Sequence, residues 1–256
     1  MELPWARIGL IGCAFVYVLG CGPAPTREPA VPAPSSGAEE APQVVPAPVV
    51  DESSVQPGIN AHYFAPDGFD KVVRALEAES REVVVHRDEI VDAIGLREAM
   101  VVADIGAGTG LFTTEIAKRV GEHGVVLAVD IVPAFLDRLR ERVKEEQLTN
   151  VTVVQGEERA TGLEDASVDL AFMCDTYHHI EYPQTYMGSL FRTLRPGATL
   201  VLIDFERIEG KTRPATLQHV RADKQTVIEE VSGAGFVLES ETDLLDENYY
   251  LRFHRP

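Results

Sequence analysis

The chain has 256 residues, of which 45% are hydrophobic and 25% are charged, a balance typical of soluble globular proteins. Its net charge of −18 at pH 7 argues against nucleic acids and anionic membrane surfaces as partners, because both attract basic proteins. Outside the first 21 residues the only cysteine is Cys174. The globular part therefore has no intramolecular disulfide, and we interpret Cys174 as a small buried hydrophobic residue.

The first 20 residues have the pattern of a secretory signal peptide. A single positive charge, at Arg7, precedes an apolar segment over residues 8–19. That segment is too short to span a bilayer stably, so cleavage is the preferred interpretation and an uncleaved signal anchor is the alternative.

A lipid attachment site is predicted at the end of this segment. Val18–Cys21 resembles the lipobox of bacterial lipoproteins, and Gly22 after the cysteine is typical of those sent to the outer membrane. We expect a lipid on Cys21 as the protein's only attachment to a membrane, with Cys13 as the alternative lipidated residue. The expected location is the periplasmic face of the bacterial outer membrane.

Residues 21–58 are predicted to be a disordered linker. They are rich in Pro and Ala, with repeated Ala-Pro and Val-Pro steps that hold the chain extended and prevent it from forming a core. The folded domain is then expected over 59–256, which is long enough to bury a hydrophobic core. It opens with two amphipathic helical patterns between Phe69 and Ile94.

The next stretch has the order strand, glycine loop, helix. A buried strand over Met100–Ala103 is followed by Asp104, and three glycines then alternate with small residues. From Leu111 the apolar residues recur with the spacing of one helix face. Such a turn brings a ligand close to the backbone, and the free N–H groups that open the helix favour an anionic group.

The loop sequence DIGAGTG, over 104–110, resembles the first motif of class I S-adenosylmethionine-dependent methyltransferases. The likeness extends over about residues 70–256 and is strongest to small-molecule enzymes of the ubiquinone-biosynthesis type. The glycine spacing departs from the G-x-G-x-x-G pattern of dinucleotide-binding proteins. The resemblance implies S-adenosylmethionine as the cofactor, N-terminal helices that cover its cleft, and five residues of the loop as its contacts: Asp104, Gly106, Ala107, Gly108 and Gly110.

Two later strands supply further cofactor contacts by the same resemblance. A strand over 125–129 ends at Asp130, about twenty residues past the loop, where an acidic side chain accepts hydrogen bonds from ribose hydroxyls. Asp130 and Ile131 are therefore assigned to the cofactor. Glu157 follows the third strand, at the place where the family usually has an Asp that contacts adenine, and Glu158 is the alternative.

The catalytic residues are expected after the fourth strand, which ends at Cys174. The resembled family has its acceptor site there, so we predict roles for Asp175, Tyr177 and His178, with Tyr177 or His178 removing a proton from the acceptor. His179 is either a part of this site or a structural residue. No metal site is predicted, because two adjacent histidines without a third spaced ligand are a weak signal.

The rest of the chain completes the predicted fold. A helix over 183–194, a fifth strand over 199–203, a polar lid over 207–221, a helix over 222–233 and a final hairpin follow in order. We predict an α/β fold, a seven-stranded Rossmann-like methyltransferase sheet with helices on both faces and extra N-terminal helices. The predicted function is methyl transfer to a small-molecule acceptor; the alternatives are an exported non-catalytic binding module and, less favoured, a dinucleotide-dependent oxidoreductase.

Overall fold

The structure, a computed structural model, describes residues 51–65, 69–79 and 81–256. Its seven strands, in chain order, are β1 (Val101–Ile105), β2 (Val125–Asp130), β3 (Val151–Gln155), β4 (Val168–Cys174), β5 (Leu194–Phe205), β6 (Val237–Thr242) and β7 (Asn248–His254). Its helices are α1 (Phe69–Leu76), α2 (Glu82–Val85), α3 (Arg87–Ala93), α4 (Thr113–Val120), α5 (Pro133–Glu145), α6 (Pro183–Thr193), α7 (Pro214–His219) and α8 (Lys224–Gly233). The predicted signal peptide, Cys13, Cys21 and the linker up to residue 50 lie outside the described residues.

The strands form one sheet in the order β3-β2-β1-β4-β5-β7-β6. The first five pair in parallel, and β7 runs antiparallel to both β5 and β6. Between β1 and β4 the strand order reverses direction, which leaves a crevice at the carboxyl ends of these strands. The expected seven-stranded α/β fold is confirmed.

Helices cover both faces of the sheet because its central strands are apolar on both sides. On one face Val102, Phe172 and Ile203 pack with the buried side chains of α3 and α4. On the other face Ala103, Met173 and Leu202 pack with those of α6 and α8. Strands buried on both faces read as continuous apolar runs, which is the pattern of β1 and β4.

The N-terminal part of the described chain folds back over the carboxyl ends of the strands. A 3₁₀ turn over Ala61–Phe64 precedes α1, and α2 and α3 follow. Residues 51–58, which the sequence assigns to the linker, contact the domain: the Glu52 carboxylate accepts hydrogen bonds from the first N–H groups of α6, and the Val55 N–H donates to the carbonyl of Glu181. No helix among the described residues is long and apolar enough to cross a membrane.

Several elements differ from those predicted, and three of the differences are the most informative. Helix α4 begins at Thr113, not Leu111, because Gly110 and the two residues after it are used to turn the chain away from the loop. Strand β5 begins at Leu194 and continues to Phe205, since its added residues pair with β4 and β7. The polar stretch predicted to be a lid contains α7, whose last residue is His219.

Candidate active site

The glycine loop lines a cleft at the carboxyl end of the sheet. Loop residues Gly106, Ala107 and Gly108 share this cleft with the ends of β1, β2 and β4 and with the N-terminal segment. Gly106 has φ = 70°, and a Cβ there would collide with the side chain of Thr176. A Cβ on Gly108 would meet no protein atom nearer than 3.8 Å, so that residue leaves room for a ligand beside the backbone.

Asp130 lies at the end of β2 and holds the loop in place. Its carboxylate accepts hydrogen bonds from the N–H of Gly108 at 2.9 Å and from the N–H of Val132 at 2.8 Å. Each carboxylate oxygen keeps a second lone pair for another donor. Because Asp130 is 7% exposed and lines the cleft, those lone pairs are available to hydroxyl groups of a ligand there.

Asp104 is a buried carboxyl group in the floor of the same cleft. The hydroxyl of Thr113 donates a hydrogen bond to it at 2.5 Å, and its residue exposure is 3%. Burial raises its pKa to about 7, against the smaller opposing effect of the Thr113 hydrogen bond. Among the described residues no lysine or arginine neutralises it.

The remaining predicted cofactor contacts divide into two groups. Ile131 and Glu157 line the cleft, as does Glu158, so the choice between the two glutamates stays open. Gly110 does not line the cleft; a Cβ at this position would collide with the side chain of Leu139 and crowd that of Arg142, both on α5.

Asp175 lines the cleft and joins the N-terminal segment to β4. Its carboxylate forms an ion pair with Arg81 and accepts a hydrogen bond from the amide of Asn248 at 2.6 Å. Burial raises its pKa to about 6, although the charge of Arg81 opposes this shift. The backbone of Asp175 has φ = 49°, in the left-handed region that few non-glycine residues adopt.

Tyr177 and His178, the other two predicted catalytic residues, do not line the cleft. The Tyr177 hydroxyl donates a hydrogen bond to the carboxylate of Glu230 at 2.7 Å, and Arg221 forms an ion pair with the same carboxylate. Burial and the charge of Glu230 raise the pKa of Tyr177. The role of Tyr177 as a base that acts on the acceptor stays a prediction. In the structure its hydroxyl is instead bound to Glu230, away from the cleft.

His178 is fully surrounded by protein and oriented by Asp204 at the end of β5. Its Nδ1 lies 2.7 Å from one oxygen of Asp204, and its backbone N–H donates to the other at 3.0 Å. Burial disfavours the charged ring, but the carboxylate of Asp204 outweighs this effect and raises the pKa of His178.

His179 lines the cleft where the sequence left its role open. Its Nε2 lies 3.3 Å from the hydroxyl of Tyr63, and the Asn60 amide donates to its carbonyl at 2.9 Å. Burial lowers the pKa of the His179 ring, and the neighbouring His178 and His219 lower it further.

Sequence reasoning missed several of these partners. Tyr63 and His179 are 116 residues apart, and Arg81 and Asp175 are 94 apart, so no local spacing could pair them. The one usable signal was the implied covering of the cleft by the N-terminal helices, because the residues just before those helices would then lie near the cleft. Asn60 and Tyr63 do line it.

Comparison with known proteins gives a consistent family assignment. The family model described as "Methyltransferase domain" matches residues 103–202. A ubiquinone/menaquinone biosynthesis C-methyltransferase UbiE from Idiomarina loihiensis is 29% identical over 131 residues, which cover 51% of each chain. An uncharacterized methyltransferase-like protein from Schizosaccharomyces pombe is 33% identical over 45% of this chain and 42% of its own. The chain thus spans about half the length of the curated relatives it matches.

Solved structures extend the likeness across most of the domain. A SAM-dependent methyltransferase from Aquifex aeolicus matches with a TM-score of 0.67 and 26% identity, over 73% of this chain and 98% of that one. An S-adenosylmethionine-dependent methyltransferase from Mesorhizobium loti, at 16% identity and a TM-score of 0.55, covers 69% of this chain and 99% of its own, and shows the fold alone.

Proposed function

We propose that this protein, whose described domain belongs to the class I S-adenosylmethionine-dependent methyltransferase family, transfers a methyl group from S-adenosylmethionine to a small-molecule acceptor. The observation that carries the proposal is the placement of Asp130. Its carboxylate lies at the end of β2, is held by the glycine loop and faces the cleft, as the recognition of ribose hydroxyls requires.

The residues of the cleft fit this cofactor. Asp104 is a buried carboxylate with no basic partner among the described residues, and a cationic methionine group beside it would supply the missing charge. The open space beside Gly108 lets a ligand approach the backbone. Glu157 and Glu158 both line the cleft, and we propose that one of them contacts the adenine.

When bound, S-adenosylmethionine supplies a methyl group made electrophilic by its sulfonium. The contribution of the protein is to bind both reactants, align them and keep water out. Asp104 and Asp130 fix the donor from the sheet side. Tyr63, whose ring packs against Phe135 at 5.6 Å between ring centres, closes the cleft from the N-terminal side.

The acceptor is proposed to lie beside Tyr63, His179 and Tyr186, which also line the cleft. The Tyr63 hydroxyl, which the Nε2 of His179 orients, can hydrogen-bond a polar group, while the ring of Tyr186 offers an apolar wall. Because the N-terminal segment covers this end, we propose a small molecule rather than a macromolecule as the acceptor.

Calorimetric titration of the full chain with S-adenosylmethionine, with S-adenosylhomocysteine and with NAD⁺ tests the proposal. We expect micromolar binding of both adenosyl compounds and no binding of NAD⁺, because the glycine spacing departs from the dinucleotide pattern. A folded protein that binds neither adenosyl compound would refute the donor assignment. Selective binding of NAD⁺ would favour an oxidoreductase.

We also propose that the mature protein is a lipoprotein anchored through Cys21 at the periplasmic face of the outer membrane. The support is the lipobox-like sequence Val18–Cys21 followed by Gly22. In cells fed labelled palmitate, the wild-type chain should be labelled and the Cys21→Ser variant should not. Labelling that persists in the variant would show that the lipid is attached to Cys13 or to another residue.

A further inference from the structure

A cluster of three histidines lies beside the cleft, outside the set of residues assigned to the donor. His178 and His179 are on the 3₁₀ turn that follows β4, and His219 is the last residue of α7. One ring nitrogen from each lies within 4.8 Å of those from the other two. We propose that these three side chains bind a divalent transition metal ion, with Zn²⁺ as the expected metal.

His178 has the arrangement of a metal-binding histidine. Its Nδ1 is engaged by Asp204 at 2.7 Å, which fixes the orientation of the ring and leaves Nε2 for a metal. Histidine ligands usually donate their other ring N–H to a carboxylate in this way. Asp204 is 1% exposed and also accepts from the His178 backbone, so we assign it as a positioning residue.

His179 supplies an independent observation. Its Nε2 is paired with the Tyr63 hydroxyl, whereas its Nδ1 is buried and has no hydrogen-bond partner among the described residues. A buried polar atom without a partner is costly, so such atoms in folded proteins usually have a function or an unseen ligand. A metal ion would satisfy this nitrogen.

His219, the third histidine of the cluster, lies on the peripheral helix α7. Its ring centre lies 5.0 Å from that of His178 and 5.0 Å from that of His179. In a tetrahedral zinc site with Zn–N bonds of about 2.0–2.1 Å, ligand nitrogens are roughly 3.4 Å apart. A small inward movement of α7, a six-residue helix with no buried residues, would bring the three nitrogens to that spacing.

Imidazole ligands suit Zn²⁺, Ni²⁺ and Cu²⁺, and carboxylates or carbonyls suit Mg²⁺ and Ca²⁺. Three histidines leave a fourth position for water or for an oxygen of a bound molecule, which is the arrangement of catalytic rather than structural zinc sites. Because His179 lines the cleft, that position is proposed to face the acceptor.

The metal site itself does not depend on methyl transfer, and metal binding is measured without S-adenosylmethionine. The metal-site proposal and the methyltransferase proposal can therefore fail separately.

The full chain, stripped of metal with a chelator, should be titrated with Co²⁺ and then with Zn²⁺. We expect one Co²⁺ per chain with visible d–d absorption of a four-coordinate site, and its displacement by Zn²⁺. The His219→Ala variant should bind at least about tenfold more weakly, and Asp204→Asn should lower affinity by about 10–100-fold, the usual effect of removing such an outer partner.

His123→Ala is the matched control, because this exposed histidine lies in the turn before β2, at the opposite end of the sheet. It should bind Co²⁺ as the wild type does. All seven histidines lie within the described ranges. Equal binding by wild type and His219→Ala, no micromolar binding by the wild type, or thiolate-to-cobalt charge-transfer bands that assign the metal to cysteine would each overturn the proposal.

Discussion

The two ends of the cleft are built in different ways. The donor end is assembled from a single continuous stretch, Asp104 to Glu157, in which the candidate contacts lie at or soon after the carboxyl ends of parallel strands. The acceptor end combines Tyr63, Arg81, His179 and Tyr186, which come from four separate segments of the chain.

This difference has a physical consequence for each end. At the donor end the loop is fixed by backbone hydrogen bonds, such as those from Gly106 and Ala107 to the carbonyl of Val129, so its geometry is a property of the sheet. At the acceptor end the geometry depends on side-chain contacts between the sheet and peripheral segments. Substitutions at the donor end should therefore change binding without unfolding, while those at the acceptor end should also change stability.

The largest effect is expected from Asp130→Ala. The variant loses the acceptors for ligand hydroxyls and for the N–H groups of Gly108 and Val132, and hydrogen bonds to a charged group contribute about 1.5–3 kcal/mol each. We expect the affinity for S-adenosylmethionine, measured by calorimetry, to fall at least about 100-fold, which corresponds to about 2.8 kcal/mol. Circular dichroism should show an unchanged fold.

Asp137→Ala is the matched control for this measurement. Asp137 is an exposed carboxylate on the neighbouring helix α5, where it pairs with Arg140 on the surface. It should bind the cofactor as the wild type does. If Asp130→Ala folds and its affinity is unchanged, the ribose assignment is wrong.

A smaller, pH-dependent effect is expected from Asp104→Asn. Burial raises the pKa of Asp104 to about 7, so the carboxylate predominates above that pH and the neutral acid below it. A cationic ligand prefers the carboxylate, and affinity should therefore decrease as the pH falls through 7. Between pH 8 and pH 6 we expect a loss of about tenfold, since the ionised fraction changes by that factor.

The Asp104→Asn variant provides the reference curve for this effect. Any titration of the ligand itself is common to both proteins, so the difference between their pH profiles reports on Asp104. The variant should bind more weakly than the wild type at pH 8, and the ratio of the two affinities should narrow by about tenfold at pH 6. Parallel profiles would show that Asp104 does not contact the cationic part of the ligand.

The sequence predicted the donor end of the cleft better than the acceptor end. The strands from β1 to β5 are apolar runs of the right length, and the glycine loop and Asp130 have fixed spacings, so the fold and most residues that line this end of the cleft were predicted by residue number. The pairs Tyr63–His179 and Arg81–Asp175 depend on tertiary packing over about a hundred residues, which leaves no periodicity to detect. The third histidine of the cluster was missed for the same reason.

The smallest effect on ligand binding is expected from Tyr177→Phe, because Tyr177 does not line the cleft. Its hydroxyl donates to Glu230 instead of lining the cleft, and Arg221 still neutralises Glu230 in the variant. We expect a loss of about 1.5 kcal/mol in the free energy of unfolding by urea, the cost of one hydrogen bond to a charged group. Affinity for S-adenosylmethionine, and turnover with any acceptor found by screening, should stay within about twofold. A loss of turnover of about 100-fold or more, with stability unchanged, would instead be the effect of removing a general base and would restore the catalytic role that the sequence suggested.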